Sequence, residues 1–491
     1  MTRRNVSSGA LPGRSWTDAR RKGPEPAAAA RKRDHRSVQI LIEGFGPDAL
    51  ALARLLAAEG DAVRLAGPGA GPDTAGTHAL HVRGVSLEPG TDLDDDPGGA
   101  DVAYLDPWTP ETAPRVGRLR AQGTRVSCLG DLLLERWRGP TIGITGTAGK
   151  TSTTVLTAQM LRCAGIDVAV SCGARAGNLW PTGDLLAALG HAAPRGRPLL
   201  LELTSSHLAF MRRSPGLAAV ISFWPDHLEL HGDLDRYRSA KETIVRHQRA
   251  ADVVVVNADD DSRGFAAVTP ARPVEFSLRR RVAHGAFLDP DRGVVLVDRG
   301  AETALGHLEA RVPHPANVVA AAAIAAAAGA GARAVVQGVH TAVPPQWRAR
   351  AGGTLGGAPV IDDGMAATPA KAAALLSQYP DHSVVLVAGG LDQVGGGPVH
   401  STPEEGEILE RACDEAARAA RVVVVFGEAA ARLAPLLRRR NVELVRTVDL
   451  AAAVAAAARH ARAGDTVVFS PLFPVSLEDR ARFATLVERT G

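Results

Sequence analysis

The segment ITGTAGKTSTT, residues 144–154, carries the strongest chemical signal in this sequence. It lies between a predicted strand and a predicted helix, so its glycine-bearing turn would point backbone N–H groups and the positive end of a helix dipole at an anion. Lys150 can then reach terminal phosphates, and the hydroxyl of Thr151 can bind Mg²⁺. The strict phosphate-loop pattern, G-x-x-x-x-G-K-[ST], would require glycine where this chain has Ile144. What remains is a shorter loop formed by Gly146, Thr147, Gly149, Lys150 and Thr151, with Ser152 following. An ordinary glycine turn before a helix is the alternative, and we predict a nucleoside triphosphate site.

Two further segments offer candidate metal ligands. The run LLLELTSSHL, residues 199–208, is typical of a buried strand that ends in Glu202, and a carboxylate at that end of an α/β sheet suits Mg²⁺. Taken alone, Glu202 could equally be a surface glutamate. His227 and Lys241 lie fourteen residues apart, which is not a helix-face spacing. From the residues alone, His227 is best interpreted as a hydrogen-bonded loop residue and Lys241 as a solvated helix residue.

The elements that must position these residues alternate between short Val/Ile/Leu runs and Ala/Leu/Arg-rich helical patterns, which is typical of βαβ units and parallel sheets. We predict an α/β chain with a basic disordered tail at 1–37 and domains at 38–140, 141–342 and 343–491. Pro344-Pro345 would make a stiff final boundary. The clearest predicted strands are 37–46, 199–203, 217–223, 252–256, 359–363, 383–390, 422–427 and 465–471, and the clearest helices are 48–60 and 315–328.

Composition places the chain among globular proteins. It has 491 residues, of which 45% are hydrophobic and 22% charged, enough for several domains with cores. Its longest apolar runs are Ala-rich and fall short of the roughly 20 residues that a membrane helix needs. Residues 1–37 hold ten Lys/Arg against three Asp/Glu, whereas the rest holds 46 against 50, so the body offers no general nucleic-acid surface.

The four cysteines carry no recognisable chemistry. They are Cys128, Cys163, Cys172 and Cys413, and no pair has CxxC spacing. This pattern fits a reducing cytoplasm and argues against a disulfide framework or a structural zinc site. We predict that all four are small buried hydrophobic residues.

Several stretches, in this order, resemble the Mur ligases: the loop at 144–154, the E-x-[ST]-S-x-x-L strand end, the D-H-L…H-G…Y-x-x-A-K segment, and N-A-D-D after a Val run. The branch that adds D-glutamate to UDP-N-acetylmuramoyl-L-alanine is the most similar, through LGDLLLERW (129–137), AGNLWP (176–181) and SPLFPVS (470–476). The resemblance covers about 38–491. It implies a three-domain Mur ligase architecture: a Rossmann-like N-terminal domain for the uridine nucleotide, a P-loop central domain for ATP and a Rossmann-like C-terminal domain for the incoming amino acid.

The resemblance also implies roles for single residues. Lys150 and Thr151 would take the phosphates and one Mg²⁺, with Glu202 helping to hold that ion. His227 is similar to the family's ligand for a second Mg²⁺, and Lys241 matches a lysine that CO₂ carbamylates. Asn317, Asp363 and Arg348 resemble residues that contact the nucleotide, the ribose and the phosphates; read without the family, they would be a cap, a turn residue and a solvated linker residue. The substrate-binding residues implied are Asn178, Ser205 and Ser470.

The implied activity is ATP-dependent amide formation through an acyl phosphate, and several residues depart from the pattern that it requires. Pro313 and His314 stand where the family has His-Asn, and Trp224 stands where an Asn is usual. Met365 and Gln393 replace two lysines around the glutamate acceptor, each able to give a charge-assisted hydrogen bond worth about 1.5–3 kcal/mol. GFGPD, at 44–48, is a poor phosphate-binding loop.

Three functions therefore stay open. The first is the D-glutamate ligase of peptidoglycan precursor synthesis, and the second is a ligase of the same mechanism with another carboxylate and amine in a specialised-metabolite pathway. The third is a non-catalytic partner subunit, which the retained metal ligands argue against. The expected partners are small molecules, namely a UDP-linked sugar peptide or other carboxylate and an amino acid. We expect a cytoplasmic monomer without nucleic-acid binding or membrane insertion.

Overall fold

The computed structural model describes residues 37–68, 71, 80–171, 185–186, 189, 196–307, 314–343, 345–394 and 397–491. Within them the chain forms three large sheets in which parallel pairing dominates, and helices cover the sheets. A short ribbon of β18 (Gln393–Val394) and β19 (Gly397–Pro398) is the remaining strand pair of the described residues. This arrangement confirms the predicted α/β class.

The first sheet has five parallel strands in the order β3-β2-β1-β4-β5. The strands are β1 Gln39–Glu43, β2 Ala62–Gly67, β3 Ser86–Pro89, β4 Val102–Tyr104 and β5 Arg125–Ser127; the helices are α1 Pro47–Ala58, α2 Pro114–Ala121 and α3 Leu129–Arg136. The strand order reverses at β1, which pairs with both β2 and β4. In open α/β sheets this reversal marks where ligands bind.

The central sheet has nine strands in the order β14-β13-β12-β11-β10-β9-β6-β8-β7. They are β6 Thr141–Thr145, β7 Ala169–Ser171, β8 Leu199–Glu202, β9 Leu217–Val220, β10 Val253–Asn257, β11 Arg272–Ser277, β12 Gly285–Asp289, β13 Gly293–Asp298 and β14 Ala301–Gly306. The pairs from β7 through β12 are parallel, whereas β12, β13 and β14 form an antiparallel meander. The βαβ pattern does not predict this meander, because its strands are joined by short turns rather than by helices.

Helices pack on both faces of the central sheet. They are α4 Lys150–Cys163, α5 Ser205–Ala209, α6 Leu228–His231, α7 Leu234–Arg246, α8 Pro315–Ala327 and α9 Ala332–Thr341, with a 3₁₀ helix at Asp261–Val268. The Ala-rich α8, predicted at 315–328, is buried along most of its length beside α4. Gly338 of α9 has no room for a side chain, because a Cβ there would lie 2.6 Å from Cα of Met160. This close contact fixes α4, the helix that follows the phosphate loop.

The third sheet has six strands in the order β15-β16-β22-β17-β20-β21. They are β15 Arg350–Leu355, β16 Ala358–Asp362, β17 Val384–Gly390, β20 Ala420–Gly427, β21 Glu443–Arg446 and β22 Thr466–Leu472; the helices are α10 Pro369–Leu376, α11 Pro403–Ala419, α12 Ala430–Arg438, α13 Leu450–His460 and α14 Leu477–Thr490. The Val-rich central strands are buried on both faces, where they contribute to two hydrophobic clusters. Fully covered parallel strands read as continuous apolar runs, which is why the sequence predicts them well.

The chain enters the third sheet through a strained segment around Arg348. Trp347 and Ala349 have φ angles of 58° and 48°, a region that non-glycine residues rarely occupy. Their backbone is held by the turn after β16, because the N–H of Met365 donates to the carbonyl of Trp347 and the N–H of Ala349 donates to Oδ1 of Asp363 at 3.1 Å. The strain is thus maintained by tertiary contacts.

Two expectations from composition concern membrane-spanning helices and the burial of the cysteines. Across the described residues, no helix combines the length and apolarity that crossing a bilayer would require. Cys128 and Cys413 are buried as expected, and Cys172 lies outside the described residues. The prediction is wrong for Cys163, which is partly exposed because it occupies the last turn of α4, with its sulfur 3.8 Å from Oγ1 of Thr341.

Candidate active site

The phosphate loop connects β6 to α4 and holds a conformation that only glycine tolerates well. Gly149 has a φ of 80°, and α4 starts directly after it. A Cβ on Gly149 would also collide with Oδ1 of Asn317, which places Asn317 of α8 against the loop as the sequence predicts. On the other side, Ser222 accepts from the N–H of Ala148 at 2.9 Å. The loop is therefore fixed from two directions at the start of a helix, the geometry that binds anions.

Lys150 lies across this loop. Its Nζ donates to the carbonyls of Gly146 at 2.9 Å and Thr147 at 3.3 Å. Burial lowers the pKa of Lys150 to about 8, and the charge of Lys371 adds to this effect. The carboxylates Glu202 and Asp226 oppose it. An amine held over the loop by carbonyls alone can exchange them for phosphate oxygens.

Thr147 connects the loop to the segment in which Trp224 departs from the Mur ligase pattern. Its hydroxyl lies 3.0 Å from the hydroxyl of Tyr237, and it also contacts the backbone of Trp224. The contacts to Trp224 use its main chain, so replacing the usual Asn at this position leaves them intact. Ser152 lies in the first turn of α4 and is almost fully buried.

Thr151 and Glu202 form a pair of oxygen donors beside the loop. The hydroxyl of Thr151 donates to Oε1 of Glu202 at 2.8 Å. Glu202 ends β8, the neighbour of β6, so the carboxyl ends of two parallel strands bring the two residues together. Glu202 is only 8% exposed, so it is no surface glutamate. A hydroxyl and a carboxylate are ligands that Mg²⁺ prefers, and the donor set fits that ion.

Lys241 is deeply buried, and here the interpretation from residues alone is wrong. Its side chain is 1% exposed, and its Nζ donates to the carbonyl of Gly146 at 3.1 Å and to Oγ1 of Thr145 at 3.4 Å. Burial, followed by the charge of Lys150, brings the pKa of Lys241 well below its ordinary value. The missed signal lies in α7, where Tyr237, Lys241 and Ile244 follow helical spacing, so the lysine stands within the apolar stripe.

His227 and Asp226 lie between the central and third sheets. His227 has a φ of 56°, and its Nε2 is 3.6 Å from Oδ2 of Asp226. The same oxygen lies 3.8 Å from Nζ of Lys371, which α10 supplies from the third sheet. Although burial opposes it, the charges of His227, Lys371 and Lys150 hold the pKa of Asp226 below its usual range. Sequence reasoning selected neither Asp226 nor Lys371, since only the tertiary fold brings them together.

The third sheet also contributes the predicted residues Arg348, Asp363 and Ser470. Arg348 is partly buried, and its charge lowers the pKa of Lys150, so it is not a solvated linker residue. Asp363 is partly buried, and its desolvation raises its pKa to about 7. It accepts a hydrogen bond from Ser470 at 3.2 Å. Ser470 is fully buried there, which gives its hydroxyl a structural contact.

The remaining substrate-binding candidates lie elsewhere. Ser205, at the start of α5, has its hydroxyl 3.0 Å from Nε2 of His231. Asn178 and Pro313 lie outside the described residues. His314 caps α8 by accepting from the N–H of Ala316 at 3.2 Å.

One site is therefore formed by the phosphate loop together with Thr151, Glu202, Lys241 and Asn317. Arg348 and Lys371 approach this site from the third sheet.

Comparison with known proteins identifies this arrangement. The Mur ligase middle domain matches residues 144–328, and the Mur ligase, glutamate ligase domain matches residues 347–473. Among solved structures, UDP-N-acetylmuramate-alanine ligase of Thermotoga maritima has a TM-score of 0.57 at 20% identity, covering 92% of this chain and all of that one. MurF from Acinetobacter baumannii has a TM-score of 0.54 at 16% identity, covering 90% and 93%. These likenesses show the fold.

Curated relatives show the family. UDP-N-acetylmuramoylalanine–D-glutamate ligase of Symbiobacterium thermophilum is 33% identical over 464 residues, covering 91% of this chain and 97% of the relative. The protein of the same name from Frankia casuarinae is 33% identical over 445 residues, covering 88% of each. With the phosphate loop, the paired oxygen donors and the buried lysine in one site, this chain belongs to the Mur ligase family.

Proposed function

We propose that the protein is an ATP-dependent, ADP-forming acid–amino-acid ligase that adds D-glutamate to UDP-N-acetylmuramoyl-L-alanine in peptidoglycan precursor synthesis. The observation that carries this proposal is the convergence of Lys150, the Thr151–Glu202 pair and buried Lys241 on one loop. The acceptor is taken from the names of the relatives. A binding-only subunit would have no use for an amine and metal ligands buried together.

The chemistry proceeds in two steps. A substrate carboxylate oxygen attacks the γ-phosphorus of ATP, the bond to the bridging oxygen breaks, and acyl phosphate and ADP result. The amine of the acceptor then attacks the acyl carbon, loses a proton and expels inorganic phosphate, which leaves the amide. The loop N–H groups and Lys150 stabilise the charge on the transferred group and hold it in line. Bound Mg²⁺, with Thr151 and Glu202 as ligands, would neutralise phosphate charge.

We further propose that Lys241 acts as a carbamate. Its lowered pKa makes the neutral amine available, and that amine can attack CO₂ to give a carbamate and a proton. The resulting anion would lie beside Lys150, where the hydroxyl of Thr145 and the carbonyl of Gly146 now accept from the amine. A carbamate can bind a metal, whereas an ammonium cannot. His227 would serve as the protein ligand of the second ion.

The three sheets suggest how the substrates divide among them. In this proposal, 38–140 binds the uridine nucleotide, 141–342 binds ATP, and 343–491 binds the amino acid, with boundaries as predicted from the sequence. The parts then meet where Lys371 approaches Asp226. We propose that the enzyme works as a cytoplasmic monomer on small molecules.

One observation favours a second candidate, a ligase for another carboxylate. At the carboxyl end of β1, Glu43 is buried and engaged by Thr109 at 2.5 Å and Arg115 at 2.9 Å. Asp48 lies in the first turn of α1. Acidic groups at both places disfavour a pyrophosphate at this loop, since helix N-termini favour anions only when no carboxylate already occupies them. A substrate without UDP would avoid this conflict.

The test measures phosphate release from ATP and Mg²⁺ with UDP-N-acetylmuramoyl-L-alanine and single amino acids. Release that requires both the nucleotide and D-glutamate is the expected result. Release that requires the nucleotide and a different amino acid would identify that amino acid as the acceptor. Absence of phosphate release from a folded protein that still binds ATP would favour the second candidate. Lys150→Ala should abolish release without unfolding the protein, and unchanged ATP consumption by that variant would contradict the loop assignment.

A further inference from the structure

Arg480 is an arginine without an adequate partner. It lies in the first turn of α14 and points its Nη1 at the sulfur of Met365, 3.0 Å away. A thioether is a weak acceptor, whereas a guanidinium carries five N–H donors. Its Nε is buried and has no hydrogen-bond partner among the residues that the structure describes. Among the described residues, Asp362 is the carboxylate whose charge acts on Arg480, without a direct ion pair.

The surroundings make this poor pairing costly. Burial and the charge of Arg348 both lower the pKa of Arg480. Arg348 likewise makes no ion pair within the described part of the chain, and its charge also acts on Lys150. Lys150, Arg348 and Arg480 therefore form a row of cations that leads from the phosphate loop to α14. Partly buried cations persist when anions neutralise them, so the row indicates more than one anionic ligand group.

We propose that Arg480 binds a carboxylate of the amino acid that is joined to the substrate. The inference rests on the function proposed above, because it takes the acyl phosphate to form at Lys150. The phosphates would use Lys150 and Arg348, which leaves Arg480 as the next cation in the row. Arg348 and Arg480 both lie in 343–491, the part of the chain to which the proposed function assigns the amino acid. A guanidinium can take both oxygens of one carboxylate.

The contact with Met365 explains how the site keeps its charge. A lysine at position 365 would place its ammonium against the guanidinium of Arg480, and the two cations would repel each other. Methionine fills the same space with a neutral, flexible chain. The chain thus carries the acceptor-binding charge at position 480 rather than at position 365. Met365→Lys, which restores a positive charge at position 365, should then compensate for loss of the positive charge of Arg480.

The experiment compares four variants in the phosphate-release assay with D-glutamate varied. Arg480→Gln should raise the KM for D-glutamate about 10- to 100-fold, as expected when a charge-assisted contact is lost, with the KM for ATP changed less than about twofold. Arg480→Lys should keep part of the affinity. Met365→Lys combined with Arg480→Gln should recover at least about fivefold of the loss. Arg482→Gln is the matched control, because Arg482 lies on the same helix and is 55% exposed.

The outcomes separate the two proposals. A wild-type protein that is inactive with D-glutamate contradicts the proposed function. An active wild type whose D-glutamate KM is unchanged in Arg480→Gln contradicts the role of Arg480 alone. A parallel rise of every KM, or failure of the double variant to recover activity, would show that Arg480 only supports the fold. If Arg480→Gln does not fold, the D-glutamate KM of Arg480→Lys decides, since a value equal to wild type would also contradict the role.

Discussion

The side-chain amines of Lys150 and Lys241 donate to one carbonyl oxygen, that of Gly146, at 2.9 and 3.1 Å. Two ammonium groups so close would repel each other strongly, since Lys241 is buried. The pKa of Lys241 falls well below its ordinary value, mainly through burial and then through the charge of Lys150. In the proposed mechanism the two amines therefore have different roles: Lys150 carries the charge that binds phosphate, and Lys241 is the nucleophile that takes up CO₂.

The proposed carbamylation of Lys241 can be tested directly. With ¹³C-bicarbonate, we expect a carbamate signal in the ¹³C NMR spectrum of the wild type. Lys241→Gln should lose this signal, whereas Lys371→Met, which removes the lysine beside Asp226, should keep it. A signal that persists in Lys241→Gln would place the carbamate elsewhere.

The Thr151 hydroxyl should control the affinity for Mg²⁺. Thr151→Val removes the donor that faces Glu202, so the Mg²⁺ concentration for half-maximal activity should rise about 10-fold or more, as for the loss of one charge-assisted contact. Thr157→Val is the control, because Thr157 lies on the same helix and its buried hydroxyl has no hydrogen-bond partner within the described part of the chain. Equal Mg²⁺ dependence in the two variants would exclude Thr151 as a ligand.

Gly149 should be required for two separable reasons. Gly149→Ala faces an unfavourable φ of 80° and a collision with Asn317, whereas Gly165→Ala faces a φ of 74° with nothing near the added Cβ. Both should lose about 1 kcal/mol of stability from the left-handed conformation. Gly149→Ala should lose more and should also weaken ATP binding, measured by titration calorimetry. Equal effects of the two substitutions would mean that Asn317 moves aside freely.

Asp362 should make stability depend on pH. Burial raises its pKa from 3.8 to about 6, so the folded state keeps the proton over a range in which the unfolded chain has lost it. The free energy of unfolding is then highest below the pKa that Asp362 has in the unfolded chain. It falls by up to about 3 kcal/mol as the pH rises through the pKa of Asp362 in the folded protein. Asp362→Asn should remove this loss.

Relative to wild type, Asp362→Asn should therefore gain thermal stability between pH 4.5 and 7.5. The exposed residue Glu478 offers a control, and Glu478→Gln should show a flat difference over the same range. A flat difference for Asp362→Asn as well would mean that the carboxyl is ionised throughout.

The parts of the site that sequence predicts are those coded locally. A strand, a glycine turn and a helix follow one another at 141–163, so the loop and its lysine can be recognised without the fold. Glu202 is recognisable because it ends an apolar strand. Lys241 was hidden by its residue type, although the stripe of α7 that contains it is apolar.

The parts that sequence does not predict arise from pairings between distant segments. Lys371 lies 3.8 Å from Asp226 only because α10 of the third sheet packs toward the central one. Arg480 reaches Met365 across more than a hundred residues of chain. Neither of these two pairs has a spacing that a local sequence pattern could reveal. The same is true of Lys150 and Lys241, which share the carbonyl of Gly146.

The strained segment around Arg348 has a consequence for the order in which a nascent chain matures. Its backbone is held by Asp363, whose own N–H donates to the carbonyl of Phe469 and whose carboxylate accepts from Ser470. Phe469 and Ser470 belong to β22, which follows Arg348 by more than a hundred residues of chain. Arg348 can therefore take its position only after β22 has been synthesised, so a chain that stops before β22 could form the phosphate loop but could not place the arginine that approaches it.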